Sequence, residues 1–193
     1  MLCKTKTCDD VKITQESLEK ELVYTKMYLK ILDDWYGNLL KKSNSFRENS
    51  PTLLEVLGEG VRSSLISSMC NIFTGSNEAS LWRLIDQVEK TTGRVENKES
   101  YIKRIEEIHG KLNPLRNVER NHTIPWRKDK DKKIFMSEMK DWIFFAETTY
   151  KEIIKGIGLS FPLNGLAPEF DEEIKRNIDW IYSNPAPSKE VFL

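Results

Sequence analysis

The sequence predicts an all-α fold, an antiparallel bundle of about six helices. Apolar residues recur at a spacing of three to four through most of the chain, the period of one helix face. Nowhere does a sustained apolar–polar alternation appear, nor an Asn-Gly turn between β-branched runs. Turn-rich stretches such as "SNSFREN", "TGSNE", "TTGRVENKES" and "SFPLNGLAP" separate the periodic segments, so the connections are short.

Each helix has its own signature. The first is expected over about residues 14–42, with Leu18, Leu22, Leu29, Leu32, Tyr36 and Leu39 on one face and Thr25 in the gap. Gly37 interrupts it at a cost of about 1 kcal/mol relative to Ala. Ser50 as N-cap and Pro51 at the first helical position open the second, about 51–74. Its stripe is Leu54, Leu57, Val61, Leu65, Met69 and Ile72, and its small residues Gly58, Gly60, Ser63, Ser64, Ser67 and Ser68 predict contact on more than one side. Ser76 or Asn77 is expected to cap a short third helix through Leu81, Leu84, Ile85 and Val88.

A fourth helix follows from about Lys98, with Ile102, Ile105, Ile108, Leu112 and Leu115 inward. Pro114 is expected to kink it and Pro125 to limit its end. Ser137 is expected to cap a fifth, carrying Met139, Trp142, Ile143, Ala146, Tyr150, Ile153 and Ile157 and closed by Gly156 and Gly158. A last helix holds Ile174, Ile178 and Ile181 before the tail "NPAPSKEVFL". A chain of 193 residues reads as one helical domain over 1–193, with residues 159–193 as a C-terminal helix and tail.

Composition narrows the function. Lys+Arg and Asp+Glu balance at 30 each, so any polyanion site is a local patch rather than the work of a net field. Cys3, Cys8 and Cys70 are an odd count without CxxC spacing and read as reduced thiols. The start "MLCKTKTCDD" lacks the apolar region of a signal peptide, and no apolar run reaches the roughly 18 residues of a membrane span. A cytoplasmic protein with no membrane partner is the expectation.

Most chemistries lack their residues. Glu106–His109 and Glu119–His122 both read E-x-x-H, as in di-iron bundles, but they share one helix and point about 220° apart. No metal and no cofactor is therefore expected. No G-x-S-x-G elbow and no Gly-rich phosphate loop is present.

What remains is "KLNPLRNVERNHTIPW", residues 111–126. Arg116 is a permanent cation with the fork geometry that grips phosphate, and histidine exchanges protons near neutral pH. Six residues place Arg116 and His122 about 120° apart on an ideal helix. A helix ending near Asn121 lets His122 swing toward the arginine. The same residues also suit a polar helix terminus, with Arg116 in a salt bridge and His122 stabilised by the helix dipole. Spacing alone does not separate the two.

"LRNVERNH" resembles the R-[N/D/H]-x-x-x-x-H element of the HEPN superfamily, late in a long helix of an all-α bundle. With "SLISSMCNIF…SLWRLIDQVE", the helices are similar to its AbiU-type abortive-infection branch over about residues 14–158. The resemblance implies a metal-independent endoribonuclease, a toxin or phage-defence effector, acting as a homodimer whose two motifs share one cleft. An antitoxin or other regulatory protein is an implied partner.

By the same resemblance, His122 serves as general acid or base at the ribose 2′-OH, Arg116 stabilises the attacked phosphate, and Asn117 orients one of them. Arg120, Trp126, Arg127 and Lys128 stand near enough in sequence to be RNA contacts, Trp126 by base stacking. Lys103, Arg104, Lys130, Lys132 and Lys133 could add charge, although "RKDKDKK" with its two aspartates reads as a solvated loop. Trp35, Trp82, Trp142 and Trp180 sit at core-compatible positions. Asn121, where a small residue often stands, and Pro114 depart from the family pattern. The alternative within the same fold is a non-catalytic module that binds RNA or a partner protein.

Overall fold

The computed structural model describes residues 6–36, 51–75, 77–120 and 136–158, together with Glu172 and Arg176; the side chains of 6–9, 34–36, 51–57 and 117–120 lie outside that description. The elements are α1 (Lys6–Lys30), running on into a π-helical turn (Ile31–Tyr36), then α2 (Pro51–Phe73), α3 (Leu81–Thr92), α4 (Lys98–Arg120) and α5 (Met136–Gly156). No strand occurs among the described residues, and the all-α helical bundle read from the sequence is what forms. The expected helix around Ile174–Ile181 falls outside the description, except that Glu172 and Arg176 are helical.

The chain divides into two compact units. One comprises Met1–Thr25 and Ile66–Leu163; the other comprises Lys26–Leu65 and Asn164–Leu193. In the second, Ser64 Oγ donates to the Gly60 carbonyl at 2.9 Å and Arg176 Nε to the Glu172 carbonyl at 3.4 Å. The candidate site residues belong to the first.

Helix α1 starts at Lys6, about two turns before the expected Thr14. Thr14 is a core residue, 1% exposed, and the buried stripe reaches back to Val11. Val11, Thr14, Leu18, Leu22 and Thr25 form one buried stripe at 3–4 spacing. In α2 the buried residues Leu65, Ile66, Met69, Cys70, Ile72 and Phe73 span about 160° of the helix circumference. Of its small residues Ser68 is inward, while Ser63 and Ser67 are exposed.

The cap of α3 is neither Ser76 nor Asn77 but the buried Ser80, whose Oγ accepts from the Arg83 N–H at 3.1 Å. Asn77 is engaged elsewhere: its Nδ2 donates to Asn71 Oδ1 at 2.9 Å. Gly93 closes the helix in the left-handed region (φ 78°), donating to the Glu89 carbonyl at 2.7 Å. Leu81, Leu84, Ile85 and Val88 are buried as expected, but Trp82 is 39% exposed and lies over Gly75 instead of entering the core.

Helix α4 continues through Pro114 to Arg120, with Ile105, Ile108 and Leu112 buried and Ile102 and Leu115 half-buried. Helix α5 begins one residue before Ser137, which is exposed within the first turn. It buries Met139, Trp142, Ile143, Ala146, Thr149, Tyr150, Ile153 and Ile154. At its end Gly158 adopts φ 72° and donates to the Lys155 carbonyl at 3.1 Å. The contacts Tyr101–Glu152 and Lys111–Glu138 set α4 and α5 antiparallel, since one residue number rises as the other falls.

Two carboxylates fasten α1 to its neighbours. Tyr150, buried on α5, donates its hydroxyl to Glu19, which also accepts from Gln15 Nε2 at 3.1 Å. Ser68 and Asn71 of α2 donate to Glu21, the latter at 3.2 Å. Burial first, then the hydrogen bond to Glu19 and its negative charge, pushes the Tyr150 ionisation far above the ordinary tyrosine range.

A phenol with a raised folded-state pKa adds stability that is complete below about pH 10, the unfolded value, and is lost as pH rises beyond it. Tyr150→Phe should lower stability by about 1.5 kcal/mol at neutral pH, read as a lower urea midpoint at unchanged slope. Above about pH 10 the stability of this variant should fall less steeply than that of the natural chain. Equal alkaline slopes would contradict the assignment.

Candidate functional site

The motif residue whose side chain the structure describes is Arg116. It lies four residues after Leu112, which is wholly buried, and next to the half-buried Leu115. Its own side chain is half-buried at the edge of the apolar stripe. On the helical wheel it stands about 40° from Leu112. The same packing that seats Leu112 therefore fixes where the guanidinium leaves the helix.

The other cations of α4 sharpen the contrast. Lys98 pairs with Glu89, Arg104 with Glu107 at 3.0 Å, and Lys111 with Glu138 at 2.8 Å. The Lys111 ammonium also sits 5.6 Å from the centre of the Trp142 ring. Lys103 and Arg116 have no carboxylate partner among the described residues, and of the two only Arg116 is half-buried. The salt-bridged arginine of a plain helix terminus is thus not found among the described residues.

Asn117 and Arg120 are helical residues of α4, one and four positions beyond Arg116. Asn117 therefore lies about 100° round the helix from Arg116, and Arg120 about 40°. The expected partners His122, Trp126, Arg127 and Lys128 lie outside the described residues, as do Lys130, Lys132 and Lys133. Of the E-x-x-H pairs, Glu106 is exposed and His109 half-buried. Among the described residues no three His, Cys, Asp or Glu side chains converge as metal ligands would.

A second feature was not legible beforehand. A groove of about 640 Å³ opens where the turn after α3 meets the first turn of α4 and the last turns of α5. Val88, Val95, Ile153 and Ile157 line it with Tyr101 and Glu152. Tyr101 donates its hydroxyl to Glu152; burial and that hydrogen bond raise the tyrosine's pKa. Nothing in the periodicity marks this groove, because it arises where helix ends meet. It lies fifteen residues from Arg116, about 22 Å along α4, so the two are separate features.

Removing the guanidinium while keeping the apolar stem, as Arg116→Met does, should change stability by less than about 0.5 kcal/mol in urea denaturation. Leu112→Ala, four residues earlier, should cost about 2–5 kcal/mol. A loss beyond about 1.5 kcal/mol in Arg116→Met would show the guanidinium to be a structural bond rather than one held for a ligand.

Comparison with known proteins brings in no relative: no family model matches the chain, and neither a curated protein nor a solved structure matches it.

Proposed function

We propose that the chain is a metal-independent endoribonuclease of the HEPN type, working as a cytoplasmic homodimer in which two copies of the motif share one cleft. The observation that carries this reading is Arg116: half-buried at the edge of a packed helix face, without a carboxylate partner among the described residues. A half-buried guanidinium with no carboxylate partner among the described residues favours an anion, and its planar fork suits phosphate. The all-helical setting and the place of the arginine late in a long helix fit the same reading.

The chemistry follows from the residue types. The ribose 2′-oxygen attacks the adjacent phosphorus in line as His122 takes the hydroxyl proton. The bond from phosphorus to the 5′-oxygen breaks, and that oxygen leaves with a proton. The products are a 2′,3′-cyclic phosphate and a 5′-hydroxyl. Arg116 bears the charge that develops on the phosphate oxygens, with Asn117 orienting the group. In a two-fold dimer the cleft is isologous, so a histidine that misses the arginine on its own helix can meet the partner copy's. A toxin or phage-defence role, held in check by an antitoxin or regulatory protein, is the setting in which such an enzyme works.

No helix among the described residues is long and apolar enough to cross a membrane. With no net charge, RNA binding rests on local groups, for which Arg120, Trp126, Arg127 and Lys128 are proposed.

The test is cleavage of total RNA and tRNA by the purified protein in EDTA, beside His122→Ala. Loss of activity by at least about a hundredfold in a folded, dimeric His122→Ala is expected. Equal cleavage by both proteins, or none by a folded dimer of the natural chain, would refute the reading and favour the non-catalytic module.

A further inference from the structure

Two turns before Arg116, on the same flank of α4, stands His109. Seven residues carry a helix through about 700°, so the two side chains leave it within about 20° of each other, separated by about 10.5 Å along the axis. Both are half-buried, and neither makes a hydrogen bond or ion pair among the described residues. Leu112, fully buried, stands about 40–60° to one side of the line they define. Asn113, exposed, lies beside the line they define. Glu106 is turned about 60° away from His109, on the side opposite to Arg116.

Polar N–H groups withdrawn partly from water favour an acceptor, and none of the described residues provides one to His109 or Arg116. Of the neighbouring cations of α4, Arg104 and Lys111 are paired with Glu107 and Glu138, and Lys103, exposed, stands about 120° round the helix from His109. What is left is a line of nitrogen donors along one flank, spaced too widely for a single phosphate group and suited to two phosphates of one strand.

Resting on the ribonuclease reading of Arg116, we propose that His109 is a substrate-binding residue. It holds a backbone phosphate of a single-stranded RNA that lies along α4, while Arg116 holds the phosphate to be cleaved. The binding face would then extend N-terminally from the motif by two helical turns, and the strand's direction would be set by the helix axis. His109 takes no part in the proton transfers.

The measurement is fluorescence anisotropy of a fluorescein-labelled, mixed-sequence 2′-O-methyl RNA, which can bind but offers no 2′-hydroxyl for attack. Binding by the natural chain should weaken about tenfold in His109→Ala, the loss of one hydrogen bond to a charged oxygen. His109→Lys, which keeps a nitrogen donor at that position, should bind within about threefold of the natural chain. Should His109→Ala fail to fold, as read by circular dichroism, His109→Gln takes its place, with weakened binding supporting and unchanged binding opposing the proposal. With unmodified RNA, His109→Ala should raise KM and leave kcat nearly unchanged. If His109→Ala binds within about twofold of the natural chain while Arg116→Ala is weakened, the role of His109 is refuted and the ribonuclease reading stands. If the natural chain binds no RNA at all, both fall.

Discussion

Two glutamates two residues apart hold the first unit together. The chain leaves that unit at Thr25 and returns at Ile66, so its first helix must be fastened by side-chain contact alone. On α1 the apolar stripe Val11–Leu18–Leu22 has Glu19 on one edge and Glu21 on the other, because two residues rotate the helix by about 200°. Glu19 accepts from Tyr150 of α5, and Glu21 accepts from Ser68 and Asn71 of α2. Each carboxylate thus ties α1 to a different neighbour. The directional bonds fix the rotation of the helix about its axis, which burial of leucines alone leaves loosely set.

That fastening bears on the site through α5. Trp142 and Tyr150, its two largest buried side chains, lie eight residues apart. Tyr150 receives α1, while Trp142 lies beneath the Lys111 ammonium of α4. The Lys111–Glu138 and Tyr101–Glu152 contacts then run up and down the α4–α5 pair. Arg116 is placed one turn beyond the first of these, where α4 is still in register with its packed stripe. Loosening α1 would therefore reach the guanidinium through two packed helices rather than by any direct contact.

How much of this was readable beforehand depends on the element. Helix α3 was legible because four apolar residues at 3–4 spacing leave a single choice of face. Its cap was not, since Ser76, Asn77 and Ser80 are all competent and only packing decides that Ser80 is buried. From the sequence α1 starts too late, near Thr14, where the apolar run reads as beginning; Thr14 is itself part of the buried stripe, which reaches back to Val11. Trp82 reads as core-compatible; one residue past Leu81 it turns about 100° away from that residue, and Gly75 offers it a surface. At the site, the stripe Ile105–Ile108–Leu112 was enough to put Arg116 at its edge. The seven-residue relation to His109 was hidden by Glu106, whose E-x-x-H spacing draws the eye to the wrong neighbour. Missing ion pairs are likewise invisible in one dimension, because the partners Glu89 and Glu138 come from other helices.

The central claim is that the reacting oxygen belongs to the substrate's own ribose. The most direct measurement offers the purified chain an RNA that it cuts, the same RNA with a single 2′-deoxy ribose at the cleaved position, and the all-DNA counterpart. Cleavage of the RNA alone, with a 2′,3′-cyclic phosphate on the product, is the predicted result. Cleavage of the deoxy-substituted strand at the same bond, or of the DNA, would contradict it, because neither has the nucleophile that Arg116 and His122 are proposed to serve.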